Sequence, residues 1–213
     1  MPTSPLNEIK EKLKVEIEQS FELIGSINQL AQNLQIDQVY LIQIDQVYLI
    51  YELSFLKIFL AWEYFLEKSF ILYMLGKKTE NGYKPESYVT PKDEDHAYNL
   101  IKGGARFPNW LDLNFIREKS ELFFIDGEPF KSTLYDDQTI HKGLRIMQTT
   151  RNRIVHVSPA SREKFESMLR DEFGYATDIT PGEFLMKEGK KTKKSYIDYF
   201  KEILLISADR IVR

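Results

Sequence analysis

The chain has 213 residues, 43% hydrophobic and 13% aromatic, enough to bury a sizeable core within one large domain or two small ones. We read it as a single domain. A net charge of −3 with a pI near 5.8 excludes coating of nucleic acid by bulk electrostatics, so any polyanion binding must be local. The absence of cysteine excludes disulfides, thiolate zinc sites and cysteine nucleophiles, and three histidines, His96, His141 and His156, are too few for a histidine-rich metal cage.

The first residues mix lysine with glutamate and lack an apolar stretch of the kind a signal peptide carries. The most apolar segment, Val47 to Leu75, is interrupted by Glu52, Lys57, Glu63, Glu67 and Lys68. Each such charge costs about 2.5 kcal/mol or more at a bilayer centre. The expectation is a cytoplasmic protein with no membrane span.

Thr3 or Ser4 followed by Pro5 forms a helix start, and Leu6, Ile9, Leu13, Ile17, Phe21, Ile24, Ile27 and Leu30 recur at threes and fours up to about Asn33. QIDQVYLI then occurs twice in tandem, at Gln35 to Ile42 and Gln43 to Ile50. Eight residues rotate a helix by only about 80°, so a helix absorbs the copy by widening its apolar stripe. Two copies are too few for a solenoid. The helix continues, apolar on most faces, to a cap at Gly76, the pattern of the buried centre of a bundle. Glu52, Glu63 and Glu67 fall near one stripe of it, either a solvated stripe or, at Glu63, a carboxylate aimed at an active centre.

Lys77 to Asp95 reads as a surface loop, Asp95 to Lys102 as a short helix stopped by Gly103-Gly104, and Leu111 to Phe124 as a further helix. Ile125 to Leu134 reads as a small turn or hairpin. Asp136-Asp137 open a helix with apolar face Ile140, Leu144, Met147 and Ile154, and Pro159 ends it. Ser161 to Phe173 predicts a helix, Gly174 to Phe184 a loop, and Lys193 to Val212 a terminal amphipathic helix. The sum is an all-α bundle of six or seven helices around a long central apolar helix.

Charge is uneven. Met1 to Glu52 holds three lysines against eight acids, while His141 to Arg170 holds seven basic residues against two acids. A second basic cluster comprises Lys187, Lys190, Lys191, Lys193 and Lys194. Such clusters are either solvated surface or what phosphate-backbone binding requires. Within the first lies Arg151-Asn152-Arg153-Ile154-Val155-His156. On a helix Asn152 and His156 share a face, whereas Arg151 and His156 diverge by about 140°. A second copy of the helix would supply the missing partner, which predicts a homodimer with this segment at its two-fold axis.

RNRIVH resembles the Arg-Asn-x-x-x-His form of the motif of the HEPN (higher eukaryotes and prokaryotes nucleotide-binding) superfamily of helical nucleases, found in prokaryotic toxin–antitoxin and defence systems. The upstream helix with AWEYFLEKSF, the loop after it and a late helix closed by a small residue and proline are similar to its layout over most of Leu53 to Pro159. The tail with SREKFESML and TPGEFL is similar to a small standalone branch.

The resemblance implies metal-independent, cofactor-free RNA cleavage by attack of the RNA's own 2′-hydroxyl, leaving a 2′,3′-cyclic phosphate. His156 would move the proton, Arg151 would stabilise the phosphorane charge and Asn152 would orient either partner. Glu63 would support the arginine or the imidazole, while Arg145, Arg153, Lys142 and Ser158 would hold the RNA backbone. A toxin or defence effector with a cognate antitoxin is the expected setting. The competing reading is a non-catalytic helical dimer of the same fold that binds RNA, a nucleotide or a partner protein. A helical metal enzyme is disfavoured because no Glu-x-x-His or His-Glu-x-x-His pair occurs.

Overall fold

A computed structural model describes residues 3–33, 40–190 and 192–213, with the side chains of 31–33 and 40–43 left aside. Among these residues the protein is all-α. Eight α-helices run in order: α1 (Pro5–Asn33), α2 (Tyr40–Met74), α3 (Glu94–Lys102), α4 (Leu113–Phe123), α5 (Gln138–Val155), α6 (Pro159–Phe173), α7 (Pro181–Met186) and α8 (Tyr196–Ile211). Two isolated bridges, Ser87 with Phe124 and Glu188 with Ser195, are the only extended pairings there. No helix among the described residues is long and apolar enough to cross a membrane.

The ends of these helices follow from local chemistry. Asp93 caps α3 by accepting the His96 N–H at 2.8 Å, and Asp112 caps α4 through the Asn114 N–H at 2.9 Å. Asp137 caps α5 by accepting the N–H groups of Thr139 and Ile140, both at 3.0 Å. The Arg210 guanidinium, 2.7 Å away, and these amides hold the Asp137 carboxyl below its ordinary value. α2 stops as expected at Gly76, whose φ of 73° suits a residue without Cβ. There the Gly76 N–H bonds Tyr73 O and the Lys77 N–H bonds Leu72 O, the paired closure of a Schellman cap.

The second QIDQVYLI copy lies within α2. Gln35 to Val39 of the first copy lie outside the described residues.

Two expectations change, and of a third, a small turn or hairpin, the turn is what forms. α5 ends at Val155, and Pro159 opens α6 instead of closing α5. Ser158 supplies the cap there, and proline in a first turn loses no hydrogen bond. Within Gly174 to Phe184, read as loop, Thr180 and Pro181 start the six-residue α7 by the same device. Ile125 to Leu134 forms no hairpin: it makes a 3-10 turn at Ile125–Gly127 and enters a π-turn at Ser132–Asp136.

The chain divides into two compact units. The first comprises Met1–Lys14, Ala61–Leu144 and Ile203–Arg213. Its core is aromatic: Phe70 lies 4.8 Å from both Phe124 and Phe130 and 5.3 Å from Trp110, centroid to centroid. The Tyr73 hydroxyl donates to Ile211 O at 2.6 Å, satisfying a polar atom that burial would otherwise penalise.

The second unit comprises Val15–Leu60 and Arg145–Glu202. Phe55 meets Phe200 at 5.7 Å, and Phe184 of α7 stacks on Tyr196 at 4.1 Å. α7 approaches α2 closely at Gly182, where a Cβ would stand 2.5 Å from Tyr48 O and 2.6 Å from Tyr48 Cβ. Gly182→Ala should therefore destabilise the fold by about 2 kcal/mol through overpacking, read as a lower urea midpoint with an unchanged slope.

Candidate functional site

The C-terminal half of α5 belongs to the second unit and carries Arg145, Arg151, Asn152 and Arg153, with His156 and Ser158 just beyond it. Buried Ile146 and Met147 anchor this half, and the Thr150 hydroxyl is satisfied by bonding back to Ile146 O at 2.9 Å. Packing on that side leaves the other polar residues facing outward. Arg145 is exposed, while Arg151, Asn152 and Arg153 are half-buried.

The structure brings Arg151 and Asn152 together: Arg151 Nη1 donates to Asn152 Oδ1 at 3.3 Å. His156 is the first residue past the helix. Its N–H still donates to Asn152 O at 2.9 Å, so it holds the cap position, and its carbonyl accepts from the Ser161 hydroxyl. The imidazole is exposed, followed by Val157 at 88% exposure. The backbone of His156 is thus fixed from both sides while its ring faces solvent.

Ser158, a candidate RNA contact, is engaged in the fold itself, because its Oγ accepts the Ser161 N–H at 3.2 Å to cap α6. Lys142 and Glu63 fall in the first unit, Lys142 exposed on α5 and Glu63 half-buried on α2.

Within the second unit the acid on α2 that answers the motif is Glu52. Its Oε1 accepts the Gly182 N–H at 2.8 Å, and it lies close enough to Arg153 for the guanidinium to act on its titration. Burial raises the Glu52 pKa above the ordinary glutamate value, and the Gly182 N–H and Arg153 charge offset only part of that rise. The signal was visible as a carboxylate in an apolar helix. What the sequence lacked was Gly182, 130 positions away, which singles out Glu52 from its neighbours. Glu67 is occupied elsewhere, accepting from Trp110 Nε1 at 2.9 Å in the first unit.

The second basic cluster is largely consumed by pairing. Lys187 meets Glu183 at 3.2 Å, Lys194 pairs with Glu202, and Lys190 donates to Phe173 O at the end of α6 while lying 5.2 Å above the Tyr175 ring. Lys191 lies outside the described residues. In the first cluster Arg162 is held by Glu166 at 2.7 Å, whereas Arg145, Lys164 and Arg170 form no ion pair with a described residue. Among the described residues no group of three or more histidine, aspartate or glutamate side chains is placed to hold a metal ion.

Comparison with family models, with characterised proteins and with solved structures finds no match to this chain.

Two measurements test the local geometry. The raised Glu52 pKa means the native state holds a proton that the unfolded chain releases. Its stabilising contribution is therefore complete below the unfolded glutamate pKa of about 4.3 and is lost as pH rises through the higher folded value. In Glu52→Gln, which keeps an acceptor for Gly182, that fall in stability with rising pH should disappear from denaturation curves. Ser158→Ala should lower stability by about 1 kcal/mol by uncapping α6, seen in thermal melts.

Proposed function

We propose that the protein is a metal-independent endoribonuclease whose centre is Arg151, Asn152 and His156. The observation that carries this reading is the pairing of a guanidinium steadied by Asn152 with a solvent-facing imidazole on a fixed backbone, both at the end of α5. These are the two kinds of group that RNA self-cleavage needs.

The 2′-hydroxyl of the substrate attacks the neighbouring phosphorus, the bond from phosphorus to the 5′-oxygen breaks, and a 2′,3′-cyclic phosphate and a 5′-hydroxyl result. One proton leaves the 2′-oxygen and one joins the 5′-oxygen. His156 serves in that transfer, since imidazole titrates near neutrality and general acid–base help is worth about 100- to 10,000-fold. Arg151 spans two non-bridging oxygens and holds the charge that builds on them. Arg145 holds flanking phosphates, and Arg153, tempered by Glu52, lines the same edge.

Because Arg151 and His156 point apart along one helix, a homodimer in which two copies share each centre belongs to the proposal. A cognate antitoxin that masks the segment belongs to it as well. The second reading is a helical dimer of the same kind that binds RNA, a nucleotide or a partner protein without cutting; Ser158, named for holding RNA, caps α6 instead.

Cleavage of single-stranded RNA in chelator separates the two readings. His156→Ala and Arg151→Ala should each lower kcat by at least about 100-fold while RNA affinity changes little. Mixing the two variants should restore part of the activity when centres are shared. Undiminished cleavage by His156→Ala would sink the assignment, and wild-type protein that binds RNA without cutting it would establish the module instead.

A further inference from the structure

We propose that the leucine face of α1 and α2 in the second unit is a homodimer surface, on which Leu23, Leu30, Leu49, Leu53 and Leu60 meet the same five residues of a second copy. These leucines are between 50% and 63% exposed. The proposal names the surface that joins two copies and does not depend on the ribonuclease reading, since a chain that cuts nothing would still associate through it.

The five form one patch. Lys57 Nζ lies 3.2 Å from Glu16 Oε2 and 3.2 Å from Gln19 Oε1, and Asn28 Nδ2 donates to the Tyr51 hydroxyl at 2.9 Å. Moving up α1 from Glu16 to Asn28 moves down α2 from Lys57 to Tyr51, so the helices are antiparallel. That register sets Leu23 beside Leu53 and Leu30 beside Leu49. Glu16, Gln19, Leu23 and Leu30 share one face of α1 by their spacing, as Leu49, Leu53, Lys57 and Leu60 share one face of α2. The second QIDQVYLI copy supplies Leu49.

Magnitude favours this face over the others. Five half-exposed leucines leave on the order of 500 Å² of apolar surface in water, near the top of the range for the largest patch on a soluble monomer. With its rim, such a patch reaches the roughly 800 Å² per partner of a stable interface. Val155 with Val157, and Tyr88 with Leu122 and Ile125, are smaller exposed groups.

Charge points to a second copy. The one cation within the patch, Lys57, is already neutralised by Glu16 of its own chain, so two copies do not repel at the centre. A lipid surface would call for a cationic border, whereas the border here carries Asp45, which is exposed, and the half-buried Glu52. The Glu52 side also carries Arg153, so the two-fold that joins the leucine faces runs beside the end of α5 in each copy.

Sedimentation of the full chain tests this. The wild type should sediment as a dimer, and Leu53→Glu should raise the dissociation constant by at least about 100-fold with an unchanged circular dichroism spectrum, since the side chain is solvent-facing in the monomer. Leu53→Gln, which adds no charge, is read in parallel and should weaken the dimer at least about tenfold. Leu122→Glu, an equally exposed leucine of the first unit, should leave the dimer intact, and so should His156→Ala. A monomeric wild type, a dimer that survives both Leu53 changes, or equal dissociation by Leu122→Glu would overturn the proposal. Because sedimentation reads association and not cleavage, a failure here is distinct from a failure of the ribonuclease assignment.

Discussion

α2 carries apolar side chains around almost its whole circumference, and no single neighbour can cover such a helix. In the first unit its Phe70 and Tyr73 are enclosed by Phe124, Phe130 and the end of α8. In the second its Phe55 is enclosed by Phe200, and the Tyr48 to Glu52 turn receives α7. Fully burying one large apolar side chain stabilises by about 1.5–3 kcal/mol, so these contacts dominate the local energetics. What remains uncovered is Leu49, Leu53 and Leu60, with Tyr64 partly so. Their exposure is the residue of the same constraint: a helix too greasy for the neighbours that the chain provides.

The other demanding place is the junction of α5 and α6, where two helix ends meet across three residues. The last carbonyls of one helix and the first N–H groups of the next all need partners. Within the junction the His156 N–H meets Asn152 O, Ser158 Oγ accepts the Ser161 N–H, and the Ser161 hydroxyl donates to the His156 carbonyl. Capping therefore absorbs the backbone and the serines and leaves the imidazole and the Arg151–Asn152 pair available. The junction is thus hydrogen-bonded along its backbone and exposed at its imidazole.

Signals confined to a few neighbouring residues were legible in the sequence. The spacing of α1, the glycine stop of α2, the Gly103 stop of α3 and the Asp136-Asp137 start of α5 each rest on geometry within one or two turns, and each was read correctly. The α5–α6 boundary was misplaced because proline signals an end or a beginning equally well, and only the cap at Ser158 decides. α7 was missed because six residues are too few to show a period. Leu30 matched the apolar face of α1 by spacing yet lies in solvent, since period records which residues align and not whether anything covers them. The contact of Arg151 with Asn152 and the place of His156 at the helix end rest on residues adjacent in sequence. The contact that marks Glu52 was not visible there, because it is made by a backbone N–H of a distant segment.

Charge shows the same limit from another side. Two lysine- and arginine-rich stretches look alike as letters, yet pairing separates them. Around α7 and the start of α8, Lys187, Lys194 and Lys190 meet Glu183, Glu202 and the end of α6, while Lys193 stays exposed. Along α5 and α6, Arg145, Lys164 and Arg170 keep their charge unopposed by any described carboxylate, and Arg153 is tempered by a glutamate that burial itself makes reluctant to ionise. Along these two helices some positive charge is therefore left without an ion partner among the described residues, in a chain of net negative charge. An acidic total does not preclude a local excess of positive charge, because surface ion pairs, each worth little in stability, decide which cations remain to act at a distance.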